Sequence, residues 1–199
     1  MAQVNTAATL GSAVFAAQSV FRKVMDATAR PGSIHSVTAV AGAPALLAPA
    51  SVAIALTLFD HDTPVWLDAK LSTSGDVASW LRFQTGCPIV PDPAQSAFAL
   101  VSDAVAVPSF ERFALGTPDY PDRSTTLILQ VATLTSGPEW TLSGPGIRGA
   151  TSLRAGSLPD DFEARLAENR ALFPRGVDLL LVAGSELAAL PRTTLVARA

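Results

Sequence analysis

The chain has 199 residues, enough for one sizeable hydrophobic core. Its formal net charge is -3, and no run of Lys or Arg suits a nucleic-acid surface. No segment approaches the roughly 18 uninterrupted apolar residues of a membrane span, and the start from Met1 lacks the basic and apolar regions of a secretion signal. We therefore expect one cytoplasmic domain, residues 1–199, that binds neither membrane nor nucleic acid.

Charged residues are scarce in this chain. They make up 16% of it, against about 25% in an average soluble domain, while hydrophobic residues make up 49%. An apolar surface that stays in solution is usually covered in part by a partner, so we favour a subunit of a larger assembly. The alternative is that the many small alanines raise the hydrophobic fraction without forming an apolar patch.

The first predicted element is an amphipathic helix over residues 12–28, which Arg30-Pro31-Gly32 should end. Its apolar face is predicted to carry Val14, Phe21, Val24, Met25 and Thr28. A β-prone stretch over residues 34–40 follows. An apolar run over residues 44–59 is long enough to be a buried helix.

Two further elements complete the first half of the chain. Residues 64–67 predict a strand. A helix should begin after Ser74, whose hydroxyl oxygen can cap it, and Asp76 suits its positive end. Gly86 should end this helix.

The second half contains the clearest strand, residues 125–134, whose β-branched and apolar content suits a central position. Ser157 and Asp160 resemble a capping box that opens a helix burying Phe162 and Leu166. Two last strands are expected at residues 177–182 and 193–196. This alternation predicts a layered α/β domain with a mixed, mainly central sheet.

The segment 144–149 formally matches the glycine pattern of dinucleotide-binding loops. That function needs the glycines to open a helix, with an acidic residue about 20 positions later. Here the next predicted helix starts near Ser157, and Pro145 stiffens the loop. We interpret the segment as a structural turn.

The segment Asp60-His61-Asp62 places two carboxylates around an imidazole, which describes either a general base, a metal corner or a helix-ending loop. The only other histidine is His35, which excludes a multi-histidine metal site. The loop is the simpler interpretation.

Five arginines stand beside Gly, Pro or Asp in predicted loops and could contact a protein interface or an anion. They are Arg30, Arg123, Arg148, Arg175 and Arg192. The alternative is that each binds helix-end carbonyls or a nearby carboxylate such as Asp122 or Asp178.

The sequence predicts no catalytic residue and no metal site. Gly-x-Ser-x-Gly is absent, and the two lysines, Lys23 and Lys70, have ordinary contexts for an amine nucleophile. The single cysteine, Cys87, is best interpreted as an inert small hydrophobe in a reducing compartment.

Seven punctuating segments occur in an order that resembles the H-subunit family (PhnH) of the bacterial carbon-phosphorus lyase system. They are residues 21–32, 56–67, 82–86, 126–131, 142–147, 173–179 and 190–194. The family often has His where this chain has Gln84, which argues against histidine chemistry there.

The resemblance implies a fold related to pyridoxal-phosphate (PLP)-dependent transferases, without the cofactor. It also implies a homodimer that joins the G, I and J subunits. With them, the family supports displacement of adenine from MgATP by an alkylphosphonate, giving a ribose 1-phosphonate 5-triphosphate. We accordingly expect an accessory, non-catalytic subunit without cofactors.

Two alternatives remain at this stage. One is an independent small-molecule enzyme, which should turn over substrate when purified alone. The other is a phosphonate- or nucleotide-binding module, which should release or absorb heat with ATP or methylphosphonate in calorimetry.

Overall fold

The computed structural model describes residues 6–38 and 41–199. Its helices are α1 (Thr6–Ala29), α2 (Pro49–Leu58), α3 (Ala69–Thr73), α4 (Asp76–Thr85) and α5 (Phe162–Ala171). Its strands are β1 (His35–Ser36), β2 (Val65–Leu67), β3 (Phe98–Val101), β4 (Thr126–Gln130), β5 (Glu139–Ser143), β6 (Ala150–Arg154), β7 (Asp178–Ala183), β8 (Glu186–Leu190) and β9 (Leu195–Arg198).

The main sheet has six strands in the order β1-β8-β7-β4-β3-β2. Strands β2, β3, β4 and β7 are parallel, whereas β8 is antiparallel to β7 and β1 is antiparallel to β8. The predicted mixed α/β sheet is therefore confirmed. Strand β4 lies inside the sheet, as its continuous apolar sequence predicted.

Side-chain alternation along β4 divides the interior into two cores on opposite faces of the main sheet. Ile128 points into one core, which also holds buried residues of α1, α2 and α4. Leu127 and Leu129 point into the other, which holds α5 through Phe162 and Leu166. These two α5 residues are buried as predicted.

A second, three-stranded antiparallel sheet has the order β6-β5-β9 and covers the Leu127 core. Trp140, Leu142 and Leu153 are its buried side chains in that core. The Trp140 ring packs edge-on against Phe162 of α5, with centroids 5.8 Å apart. Small-sheet and α5 residues thus form the layer opposite α1.

The predicted apolar face of α1 is wrong in part. The helix ends at Ala29, before Pro31, as expected. Within residues 14–29 of the helix, however, the buried side chains are Val20, Val24 and Ala27, spaced i, i+4 and i+7, whereas Phe21 and Met25 are exposed. The helix contacts the sheet along a narrower line than its apolar residues cover.

Both predicted hydroxyl caps are also wrong. Gly75 is the N-cap of α4, and the Ser74 hydroxyl donates instead to the Leu71 carbonyl at 2.7 Å, at the end of α3. Helix α5 begins after Asp161, and Ser157 adopts a positive φ of 61° outside the helix. In each case a tight turn separates the serine from the first helical residue.

Several strand boundaries also differ from the sequence expectation. The stretch 34–40 forms only the two-residue β1, and residues 39–40 lie outside the described part of the chain. Strands β3, β5, β6 and β8 were not expected. The final strand, β9, belongs to the small sheet because it pairs with β5. None of the described helices is long and apolar enough to cross a membrane.

Candidate interaction surface

The loop carrying Asp60, His61 and Asp62 is an exposed turn held by its own hydrogen bonds. Asp60 Oδ1 accepts from the Thr63 hydroxyl at 2.6 Å and from the Asp62 N–H at 3.0 Å. These two hydrogen bonds lower the pKa of Asp60, and the bond from Thr63 has the larger effect. No cluster of three metal-ligating side chains occurs in residues 6–38 and 41–199. The geometry matches the loop interpretation.

The glycine-rich segment 144–149 joins β5 to β6 and opens no helix. Gly146 has a φ of 82°, and a Cβ at this position would overlap the carbonyl oxygen of Ala29. Only a residue without Cβ allows the loop to approach the end of α1 this closely. The segment is a turn, as interpreted from the sequence, and the structure shows that it packs against the end of α1.

The carboxyl ends of parallel strands are where open α/β sheets commonly bind ligands, at a reversal of strand order. Here β2, β3, β4 and β7 follow chain order across the sheet, so no such reversal lies among them. Asp68, just after β2, accepts from the Ser102 N–H at 2.6 Å, the Ser102 hydroxyl at 2.7 Å and the Leu71 N–H at 2.8 Å. Its oxygens are thus engaged within the chain.

The amino end of α2 meets the same edge of the sheet. Gln130, at the end of β4, accepts from the Ala48 N–H at 2.6 Å. The Ala50 N–H donates to the Gly184 carbonyl at 2.9 Å, after β7. The Ala48 and Ala50 N–H groups, which could otherwise help to hold an anion at this helix amino end, are therefore bound internally.

Arg192 joins three loops through its guanidinium. It forms an ion pair with Asp178 at 2.5 Å, and its side chain is only 12% exposed. Nη1 donates to the carbonyls of Pro121 at 3.0 Å and Pro174 at 3.2 Å, and Nη2 donates to the Ser124 hydroxyl. Arg192 therefore binds a nearby carboxylate and backbone carbonyls of its own chain, which is the second of the two roles considered for the loop arginines.

The other four candidate arginines lie at or near the surface. Arg30 is exposed and pairs with Asp26 one turn earlier. Arg123 stacks on a neighbouring tyrosine, with its guanidinium carbon 4.2 Å from the ring centroid. Arg148 is exposed and Arg175 half-buried. Their role as interface or anion contacts stays a prediction.

The lysines and the cysteine are not arranged as reactive groups. Lys23 Nζ donates to the Ser36 carbonyl at 2.7 Å, and Lys70 is exposed on α3. Cys87 is buried, and this burial raises the pKa of its thiol. A PLP Schiff base needs a lysine beside a helix that can bind the cofactor phosphate. These residues do not fit PLP.

Helix α1, by contrast, exposes several large apolar side chains. Val14 is 56% exposed, Phe21 48% and Met25 53%. Their spacing of i, i+7 and i+11 aligns them along one side of the helix, which we call the α1 stripe. Exposed large apolar side chains aligned in this way are typical of interaction surfaces.

An open groove of about 670 Å³ lies between α1 and α2. Phe15, Val20, Ala53 and Leu56 supply apolar lining, and Lys23 also borders it. Sequence reasoning missed the exposure of this part of α1. The sequence did contain a signal for this exposure. Val20, Val24 and Ala27 already form a core-facing stripe with helical spacing, which leaves Phe21 and Met25 on a different side of the helix.

The fold and this surface define a class: a layered α/β protein in which Asp68 and Gln130 at the sheet edge are bonded internally and one helix exposes large apolar side chains. The family described as Bacterial phosphonate metabolism protein (PhnH) matches residues 9–197. The chain belongs to this family, which confirms the resemblance found in its sequence.

Two curated relatives are similar to the chain. One is "Alpha-D-ribose 1-methylphosphonate 5-triphosphate synthase subunit PhnH" of Rhizobium meliloti (strain 1021), 48% identical over 185 residues, which cover 93% of this chain and 92% of the relative. Another is "Putative C-P lyase subunit protein HtxG" of Stutzerimonas stutzeri, 39% identical over 80 residues, covering 40% of this chain and 41% of that protein.

Proposed function

We propose that the chain is an accessory, non-catalytic subunit of a carbon-phosphorus lyase assembly in phosphonate catabolism. In that assembly it supports phosphonate-dependent displacement of adenine from MgATP, which forms a ribose 1-phosphonate 5-triphosphate. Family membership and the relative named as a synthase subunit support this pathway. Its partners are a second copy in the free protein and the G, I and J subunits, in the cytoplasm.

The observation that carries the proposal is the α1 stripe. Its exposed apolar side chains lie on a helix of a chain with only 16% charged residues. Covering apolar area is worth roughly 25 cal/mol per Å², so a partner on this face gains free energy from contact alone. The surface therefore supports a role in assembly.

A second copy suits the α1 stripe. In a two-fold contact the same patch serves both subunits, so no second complementary surface is needed. Arg22 and Asp26 lie one turn apart on exposed positions of α1. Because Asp26 also pairs with Arg30 in the same chain, charge adds little to this contact, and the apolar side chains carry it.

The non-catalytic part of the proposal rests on the sheet edge. Asp68 and Gln130 direct their polar atoms to the chain's own backbone and to Ser102. We also propose that residues 1–199 form one domain, and that its fold is related to that of the PLP-dependent transferases. The layered mixed sheet is compatible with it, and the lysine contacts support loss of the cofactor.

Light scattering on the purified chain tests the stripe. Wild type should have the mass of a dimer. The double variant Phe21→Glu, Met25→Glu should associate at least tenfold more weakly, because dimerisation would then bury two carboxylates where the apolar contact was. Phe83→Glu is the matched control, since Phe83 is 86% exposed on α4, outside the stripe.

Co-expression with the G, I and J subunits tests the wider assembly. A tagged chain should retain these subunits through purification and should show no turnover when purified alone. A wild-type chain that stays monomeric at high concentration, recovers none of them and catalyses a reaction by itself contradicts the proposal.

A further inference from the structure

A second exposed patch lies apart from the α1 stripe. The turn at residues 120–123 and the segment after α5 carry it, and α5 packs on the face of the main sheet opposite α1. Tyr120 is 52% exposed and Phe173 is 63% exposed. We call Tyr120, Arg123, Phe173 and Arg175 the loop patch.

Polar contacts hold the loop patch in place, and those made by Asn169 are buried. The guanidinium of Arg192 binds the carbonyls of Pro121 and Pro174, one beside each exposed aromatic residue. Asn169, 3% exposed, donates to the Val177 carbonyl at 2.9 Å and accepts from the Val177 N–H at 2.8 Å. The two loops are thereby fixed relative to each other.

The residue types of the loop patch suit protein recognition. Tyr and Arg are enriched among residues that dominate binding energy, and aromatic rings supply large apolar area with few rotatable bonds. Arg123 already stacks on Tyr120, which limits its freedom before binding. A surface that is ordered in advance loses less entropy when a partner docks.

Charge identifies the kind of partner. The carboxylate of Asp178 is paired with Arg192, whereas Arg123 and Arg175 form no ion pair within residues 6–38 and 41–199. The chain's own apolar groove is bordered by Lys23, whose charge repels these arginines. A second copy therefore fits the loop patch poorly at that groove.

We infer that the loop patch docks a different polypeptide of the assembly, one presenting carboxylates around an apolar pocket. Phe173 enters the pocket, and Arg175 and Arg123 meet the carboxylates. Asp119 and Asp122 are also exposed nearby, so the partner must match individual arginines and not merely carry excess negative charge. This inference rests on the proposed function, because it names the second interface of the same subunit.

The test uses the tagged full-length chain co-expressed with the G, I and J subunits. Phe173→Ala and Arg175→Glu should each weaken retention of at least one of these subunits tenfold or more, measured by titration and native mass spectrometry. The homodimer mass of the free variants should not change, because the α1 stripe is intact. Wild-type binding should also weaken as salt is raised.

Phe83→Ala and Arg82→Glu on α4 are matched controls, since both side chains are exposed and lie outside the loop patch. Circular dichroism should show unchanged thermal unfolding for the Phe173 and Arg175 variants. If wild type assembles and both variants bind every subunit as tightly, the inference is wrong while the proposed function stands. If wild type recovers no subunit, the proposed function fails and this inference fails with it.

Discussion

The carboxyl edge of the main sheet and the exposed side of α1 differ in what they offer to a binding partner. At the sheet edge, Asp68 and Gln130 are hydrogen-bonded within the chain. On α1, Phe21 is 48% exposed and Met25 is 53% exposed, so about half of each apolar side chain is in contact with water. Satisfied polar groups have little capacity left for a small polar ligand, whereas uncovered apolar groups gain from association. The difference favours protein contact over chemistry at the sheet edge.

The largest expected effect on stability concerns the carboxyl end of α1, where Gly146 packs against Ala29. Gly146→Ala should lower the free energy of unfolding by about 3 kcal/mol, because it adds a backbone clash at Ala29 to the strain of a positive φ. Gly149→Ala is the control: its φ is 73° and a Cβ there meets nothing within 4 Å, so about 1 kcal/mol is expected. Urea unfolding measures both, and equal losses contradict the close packing.

At the sheet edge, Asp68→Ala should cost about 2 kcal/mol, because the donors of Ser102 and Leu71 lose their acceptor. Asp103→Ala provides the comparison on the same edge. The Asp103 carboxylate accepts from the Val105 N–H at 3.1 Å and is exposed, so its removal should cost less than about 1 kcal/mol. If the two variants unfold alike, the sheet edge is less tightly bonded than described.

Two substitutions within α1 separate its buried and exposed sides. Val24→Ala should lower the free energy of unfolding by about 1.5 kcal/mol, since Val24 is only 7% exposed in the core. Phe21→Ala should change it by less than about 0.5 kcal/mol when measured on the monomer at low concentration. A larger loss for Phe21 than for Val24 reverses the assignment of the two sides.

The smallest effect concerns Cys87, which lies in the same core cluster as Val24. Burial raises the pKa of its thiol, so the stabilisation of the protonated form is complete below the unfolded pKa of about 8.5 and is lost as pH rises through the folded pKa. Unfolding free energy should fall more steeply above pH of about 8.5 in wild type than in Cys87→Ala, by less than about 1 kcal/mol.

Thiol labelling gives an independent measurement at this position. A disulfide reagent should modify Cys87 only as the chain unfolds, because the side chain is 1% exposed. Rapid labelling of the native protein at pH of about 8 contradicts a closed core on the α1 side of the sheet.

Some elements could be predicted because their signal is local. The apolar and β-branched run of β4 indicated an interior strand, and Pro31 indicated the end of α1. The caps at Ser74 and Ser157 could not, because hydroxyl groups cap many turns equally well and the backbone geometry of the preceding turn decides between them. In the small sheet, β9 pairs with β5 more than 50 positions away, so no local pattern could assign it to that sheet. Strands β5 and β6 are neighbours in sequence, but each is only five residues long and gives a weak signal.

The candidate surface shows the same limit more sharply. Sequence motifs indicated the family, and composition indicated a chain that associates with others. Neither could locate the surface, because Val24 and Met25 are both apolar and adjacent on α1. The loop patch depends on Arg192 joining segments 14 or more positions away, a contact that no local pattern contains.

By itself, the sequence determined the α/β class, the central strand, the end of α1 and the family, because each follows from local chemistry or an ordered set of motifs. Only the tertiary structure decided which side of α1 is covered, which polar groups at the sheet edge are satisfied and which loops meet at Arg192. Apolar periodicity reports that a side chain favours burial. Whether it is buried depends on how much of the helix the neighbouring layer can reach.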